Sequence, residues 1–346
     1  MILSFRCRNI GGVLLVGIFI TVGIWLLVDN HLATPSHPLS ATNATLGFQK
    51  IQVVNLPHRF DREDAILMQC RVSGLKYEIF PGIYAANLQD SGLPPSSKPV
   101  AEKNIKACFR AHANIWQQML KEEWGSVLIL EADASWDLEI RPIMQRVSQS
   151  LNKLMDRYPS PFPDAVATEN DPYNAAKWDM IMLGQCFESP NRKDENIIFS
   201  DPDSPVGKNY YDIPLNDQRV IRRSGKPTCT TAYAISPSGA MKLLLRSSLD
   251  LNKPVDLIIE ELVESGNFNS YSVHPPPFAQ WAYAEHIGAE SHNSDIESNE
   301  SKVDEKSGEA WEKVHSDMNV WRVGDMYRDS QFRHPAFAAL KNFTYV

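Results

Sequence analysis

The chain has 346 residues, enough for one large or two ordinary domains around a substantial buried core. Its formal charge is −8, from 34 basic and 42 acidic side chains with no concentrated basic stripe. That excludes nucleic acid as the main partner, because phosphate backbones demand clustered Lys and Arg.

Ile10 to Val28 carries no charged residue, a run long enough to cross a hydrocarbon core of about 30 Å as a helix. Arg6 and Arg8 precede it and Asp29 follows, so the positive-inside rule makes residues 1–9 a cytosolic tail and puts the body in the lumen. A cleaved signal peptide would have a shorter apolar region and a small-x-small site, whereas Trp25-Leu26-Leu27-Val28 stays bulky to its end. The reading is an uncleaved anchor at 10–28 and one membrane-spanning helix.

Residues 29–50 read as a stem, since His31 to Gly47 is rich in Pro, Ser, Thr and Asn without periodic apolar residues. Glycan acceptor triplets start at Asn43, Asn299 and Asn342, in keeping with a lumenal body. Of five cysteines, Cys7 precedes the anchor; Cys70, Cys108, Cys186 and Cys229 follow it and allow three complete pairings that the sequence does not rank.

Residues 51–284 alternate strand and helix patterns. Ile51 to Leu56 reads as the first strand, and Arg59 and Arg62 sit in the loop and first turn of a helix from Asp61 to Val72. Their planar forks suit diphosphate, while Asp61, Glu63 and Asp64 offer ordinary surface partners. Tyr77 to Phe80 is a short strand, and Ala101 to Glu123 is a long amphipathic helix bearing His112. A histidine so placed is more often a structural hydrogen-bonding residue than a ligand.

Val127 to Asp137 is the stretch around which the body is organised: an aliphatic strand running into Glu131 and Asp133. Ligands of open α/β sheets bind beyond the carboxyl ends of strands, and in extended backbone these two side chains leave one face. Such a pair can hold Mg2+ or Mn2+ with phosphate oxygens completing the shell; the bland alternative is a loop start and a turn cap. Helix from Ile140 to Tyr158, strands near 178–184 and 230–235, long polar loops with a hairpin over 188–226, and helices from Ala240 and Leu257 complete an α/β fold with a mixed, mainly parallel sheet flanked by helices. Residues 285–309 read as an acidic disordered segment, and 310–346 as a tail whose aromatics pack back on the domain.

Several pieces in this order resemble glycosyltransferase family 25, the lipopolysaccharide and collagen galactosyltransferase group, and in particular its fungal type II membrane members. They are Val54-Asn55-Leu56 with Arg59 and Asp61-Arg62, Ala107-Cys108 to His112 with Trp116, and Leu128 to Asp133. Further along come Trp178 to Gly184, Tyr233 to Ser236 with Gly239-Ala240, Pro254-Val255-Asp256 and Gln280. The resemblance implies a GT-A-like fold, a UDP-sugar donor (galactose by family expectation), a glycan or glycoprotein acceptor, assistance by Mn2+ or Mg2+, inversion, and residence in the Golgi or ER membrane. By position it assigns Glu131 and Asp133 to metal and diphosphate, and Asn55, Arg59, Arg62, His112 and Gln280 to the donor. One departure is that many relatives carry Glu-Asp-Asp where this chain has Glu131-Ala132-Asp133.

Inversion also needs a carboxylate to take the acceptor proton; Asp256 is the nominee, with Glu260 and Glu261 in reserve, although three acids on a helix also make an ordinary solvated face. Trp281 reads either as a sugar-stacking ring or as core. Two rival readings are an inactive lumenal binding protein that keeps the fold, and a metal-dependent phosphoester hydrolase. The latter would need further clustered His and Asp, which the sequence lacks. Neither Gly-rich signature of nicotinamide or P-loop chemistry occurs.

Overall fold

The computed structural model describes residues 40–95, 103–158, 170–283, 321–323 and 332–340. The expected cytosolic tail and anchor, the acidic segment 285–309 and much of the tail lie outside the described residues. Among the described residues no helix is long and apolar enough to cross a membrane.

The chain opens with β1 (Lys50–Asn55), α1 (Phe60–Ser73) and β2 (Glu78–Pro81). Helix α1 stops at Gly74, whose φ of 63° lets its N–H reach the Cys70 carbonyl. Then follow α2 (Lys103–Lys121), β3 (Val127–Glu131), β4 (Ala134–Trp136), α3 (Ile140–Arg157) and β5 (Met180–Met182). Six short strands come next: β6 (Phe187–Glu188), β7 (Asn196–Ser200), β8 (Lys208–Tyr210), β9 (Ile213–Leu215), β10 (Gln218–Arg223) and β11 (Pro227–Thr228). The remainder is β12 (Ala232–Ile235), α4 (Pro237–Leu249), α5 (Val255–Glu264), β13 (Ser270–His274), β14 (Phe278–Tyr283), β15 (Trp321–Val323) and α6 (Ala336–Leu340).

Eight strands form the central sheet in the order β2-β1-β3-β12-β5-β13-β10-β7. Parallel pairs join β1 to β2 and β3, and β5 to β13; the other four pairings are antiparallel. The sheet is therefore mixed, as expected, but not mainly parallel. An apolar run such as 232–235 carries no direction of its own; β12 runs against both its neighbours. By these pairings the carboxyl ends of β1, β2, β3, β5 and β13 share one edge.

Strand β3 shows why the sheet is covered on both faces. Leu128 and Leu130 join one core cluster with Ile143, Val147 and Leu151 of α3, while Val127 and Ile129 join another with Ile115, Trp116 and Met119 of α2. Period-2 alternation thus sends aliphatic groups to two layers, each side chain worth roughly 1.5–3 kcal/mol of burial. Gly239 in α4 lets that helix close on the sheet, because a Cβ there would lie 2.1 Å from the Asp179 carbonyl oxygen.

The stem reading needs correction at its distal end. Ala41, Leu46 and Phe48 are buried in the core, Phe48 stacks on Tyr173 at 4.5 Å, and the Tyr173 hydroxyl donates to the Leu46 carbonyl at 2.7 Å. Composition hid this because the packing depends on a turn: Asn43 Oδ1 accepts from the Thr45 and Gly47 amides, both at 2.9 Å.

Candidate functional site

Glu131 ends β3 opposite Val54 of β1, and the next amide, Ala132 N–H, donates to the Val54 carbonyl at 3.1 Å. The chain then turns at Ala132 and Asp133 before β4, so the Glu131–Asp133 pair does not lie in the extended backbone that the sequence suggested. Glu131 Oε1 accepts from Thr230 Oγ1 at 2.6 Å and lies 3.6 Å from His112 Nε2. Asp133 Oδ2 accepts from Gln280 Nε2 at 2.9 Å and pairs with Arg62 Nη2 at 3.3 Å. Ala132, between them, is buried in the core.

The two carboxyls are pushed apart in acidity. Burial drives the Asp133 carboxyl up and the Glu131 charge adds to that, against the pull of Arg62 and Gln280. Burial also raises Glu131, but His112, Thr230 and the Arg62 charge outweigh it and hold Glu131 below the usual range.

His112 is placed behind this centre rather than in it. Its side chain is 1% exposed. Nδ1 sits 2.9 Å from Tyr233 Oη, which also accepts from Trp116 Nε1 at 3.0 Å. With the Tyr233 hydroxyl donating to Nδ1, the ring proton is on Nε2, on the side of the ring that faces Glu131 at 3.6 Å. His112 thus stands behind Glu131, and its buried Nε2 has no hydrogen-bond partner among the described residues.

The arginines are also engaged. Arg59 forks onto Asp61 with Nε and Nη2 both 2.9 Å from the carboxylate, and Tyr283 Oη donates to the same group at 2.8 Å. Burial opposes ionisation of Asp61, yet Arg59 and Tyr283 bring its pKa to about 2. Asn55 Nδ2 donates to the Arg59 carbonyl at 3.2 Å while its buried Oδ1 has no protein partner. Asp133 Oδ1 is likewise buried and unpartnered.

Asp256, in the first turn of α5, comes to the same neighbourhood. It accepts from the Cys229 amide at 3.3 Å, and its charge joins those of Glu131 and Asp133 on the Cys108 thiol, which burial and these three acids push far above its ordinary range. Glu260 and Glu261 do not join: Glu260 lies 3.9 Å from Lys226, and Glu261 lies 3.1 Å from Arg246 and 3.5 Å from Lys253. Trp281 is core, its ring edge-on to Phe337 at 5.8 Å, although its amide donates to the Asp133 carbonyl at 2.8 Å.

Sequence reasoning missed Thr230, Cys108 and the Cys186–Cys229 disulfide, which leaves Cys70 and Cys108 as free thiols. A threonine preceding a strand, or a cysteine on an amphipathic helix, gives no local signal of what it meets across the fold. Among the described residues no group of three or more His, Cys, Asp and Glu is arranged to hold an ion. A cation here would therefore need ligand oxygens beside the protein carboxylates. A cavity of about 350 Å³ opens further along the same edge, past the ends of β5 and β13.

A mixed sheet whose strand ends converge on countered carboxylates defines an α/β ligand-binding protein with its site at the carboxyl edge. The chain belongs to glycosyltransferase family 25, whose model, described as "Glycosyltransferase family 25 (LPS biosynthesis protein)", matches residues 48–259. It is 21% identical over 325 residues to a Mus musculus protein named procollagen galactosyltransferase 2, covering 86% of this chain and 45% of that one. It is 24% identical over 241 residues to an Anopheles gambiae glycosyltransferase 25 family member, covering 66% of this chain and 34% of the other. A Homo sapiens relative named inactive glycosyltransferase 25 family member 3 is 22% identical over 257 residues, covering 70% of this chain and 36% of its own length. The chain thus spans less than half the length of these curated relatives.

Proposed function

We propose that this chain transfers a sugar, galactose by family expectation, from a UDP-sugar to a hydroxyl of a glycan or glycoprotein acceptor with inversion. The observation that carries the reading is the pair of carboxylates at the carboxyl end of β3, Glu131 held by Thr230 and Asp133 held by Gln280 and Arg62. Asn55 Oδ1 and Asp133 Oδ1 add buried acceptors that lack protein partners, as expected of groups that meet a ligand.

The oxygen donors fit a hard divalent cation such as Mn2+ or Mg2+, which Glu131 and Asp133 would hold together with ligand phosphate oxygens. Such an ion, when bound, supplies Lewis-acid neutralisation of charge on the departing diphosphate. The chain's own residues do the rest. Thr230 fixes Glu131 with His112 behind it, Gln280 and Arg62 fix Asp133, and Arg59, held by Asp61, stiffens the loop after β1. Asp256 is the carboxylate assigned to receive the acceptor proton.

The disulfide supports an oxidising lumen, and with the apolar run at 10–28 it favours a type II protein of the Golgi or ER membrane with a GT-A-like body. A second reading, an inactive binding protein, is favoured by the Arg62–Asp133 ion pair, which already neutralises the carboxylate a cation would use. Incubating the full chain with UDP-galactose and other UDP-sugars, with and without Mn2+, separates the two. Transfer predicts UDP release that falls at least a hundredfold in Asp133→Asn at an unchanged unfolding midpoint. Failure to bind or turn over any UDP-sugar sinks the transferase reading.

A further inference from the structure

The cavity beyond β5 and β13 has no part in the centre described above, and its walls are built for a different ligand. Its volume of about 350 Å³ lies in the range of small-molecule sites, near 300–1,000 Å³. Two aromatic rings that line it are left in solvent, Phe187 at 57% and Tyr211 at 37% exposure. Exposed aromatics beside a concave, polar wall suit a ligand with apolar C–H faces and many hydroxyls.

The polar wall is preorganised. Glu188 Oε1 accepts from Gly225 N–H at 2.7 Å and from Ser272 Oγ at 2.9 Å, while Oε2 lies 3.8 Å from Arg222 Nη1, beyond hydrogen-bond reach. Buried Arg222 also donates to Tyr211 Oη at 2.6 Å, and that hydroxyl donates to the Ser189 carbonyl at 2.9 Å, so the ring is held at both sides of its oxygen. Tyr211 adopts φ 53°, a left-handed conformation that bulky residues rarely take and that costs about 1–3 kcal/mol. Tyr211 opens the two-residue turn between β8 and β9, which accounts for this φ, and the turn sets its braced ring at the cavity wall.

The wall carries both signs, Lys208 and Arg222 with Glu188. Burial pushes the Glu188 carboxyl up despite Arg222, so this wall already carries a desolvated acid. Arg222 is committed to the Arg223, Ser189 and Asn191 carbonyls and to Tyr211, so the group on this wall that a ligand hydroxyl can meet is Glu188 Oε2, which accepts no hydrogen bond from the described residues.

The cavity is also joined to the acidic centre. Cys186 lines it and is bridged to Cys229, whose amide donates to Asp256; the next residue, Thr230, holds Glu131.

We propose that this cavity binds a sugar ring of the acceptor, with Phe187 and Tyr211 as platforms and Glu188 as a hydroxyl partner. The acceptor role rests on the transferase reading; sugar binding at this place does not. The test is saturation-transfer NMR on the full chain with the methyl glycosides of galactose, glucose and mannose. At least one should receive saturation, with binding at least tenfold weaker in Tyr211→Gly, which accepts the backbone φ, and in Phe187→Ala, and retained in Asp133→Asn. Absence of glycoside binding, or binding indifferent to both aromatic substitutions, overturns the proposal. So does binding lost in Asp133→Asn but kept in Tyr211→Gly, because the sugar would then sit at the acidic centre. Glycoside binding with the expected pattern but no turnover of any UDP-sugar would uphold this site and defeat the transferase reading alone.

Discussion

Asp61 shows how a single side chain fixes the loop on which the site depends. Its carboxylate is shared by Arg59 and Tyr283, and those contacts bring its pKa down to about 2 from an ordinary 3.8. A depressed folded-state pKa contributes stability that is complete above the unfolded value and lost as pH falls through the folded one. The loss should therefore fall between about pH 4 and pH 2, and after solvent screening it amounts to about 1 kcal/mol. Urea unfolding at a series of pH values should show Asp61→Asn less stable than the parent at pH 7, with the gap closing towards pH 2. A gap independent of pH would mean the contacts are steric rather than ionic. The same residue shows a limit of sequence reading. Asp61 beside Arg59 was legible as an ordinary surface pair, and that is the pair observed; its third partner, Tyr283, lies 222 residues away and leaves no local trace. Glu131 and Asp133 were legible as acids at a strand end, but their opposite partners depend on a turn at Ala132 that alternation alone does not reveal.

At the scale of elements, the helices were legible because apolar spacing marks them. The sequence reading of 101–123 and 140–158 meets helices at Lys103–Lys121 and Ile140–Arg157. The stretch 188–226, read as long polar loops with a hairpin, holds the antiparallel pairs β7–β10 and β8–β9, and β10 is buried in the sheet with Arg219 and Arg222 inside it. Arginine in a strand reads as surface unless its partner is known, and here Asp201 and Glu188 arrive from distant segments. Gly239 tests the packing of α4 directly. Ser236 caps this helix through the Gly239 amide at 3.2 Å, and a Cβ on Gly239 would meet the Asp179 carbonyl carbon at 2.9 Å as well as its oxygen. Asp179 cannot retreat easily, since its carboxylate is bonded by Lys242 at 2.6 Å and by the Asn269 amide at 2.7 Å. Gly239→Ala should therefore cost at least about 2 kcal/mol despite the better helix propensity of alanine, through backbone overpacking. A calorimetric midpoint equal to or above the parent's would show that α4 can shift outwards without penalty.

For the whole molecule, the element of greatest reach is the Cys186–Cys229 bridge, which spans 43 residues of chain. Without it, the segment holding β6 to β11 would still be held by β10 in the sheet and Ile221 in the core, but its two ends would be joined only by hydrogen bonds, among them the β6–β11 pairing and the Cys186 amide to the Thr228 carbonyl at 3.1 Å. Closing a loop of this length in the unfolded chain is worth up to about 4 kcal/mol, and typical bridges deliver about 2–4. The free thiols provide the control: Cys70 is buried with its pKa pushed up to about 12, and burial with nearby acids suppresses the Cys108 thiolate still further, so neither competes for the bridge near neutral pH. Reduction, or the paired substitutions Cys186→Ser and Cys229→Ser, should thus lower the urea midpoint by an amount equivalent to about 2–4 kcal/mol, while Cys108→Ser leaves the effect of reductant intact. Because Cys229 touches Asp256 and precedes Thr230, the bridged and unbridged chains should also differ at the acidic centre. A UDP titration by calorimetry should be weaker in the unbridged chain at temperatures where it remains folded. Equal affinity would mean that the hydrogen bonds of 228–232 hold the carboxylates unaided and that the bridge serves stability only.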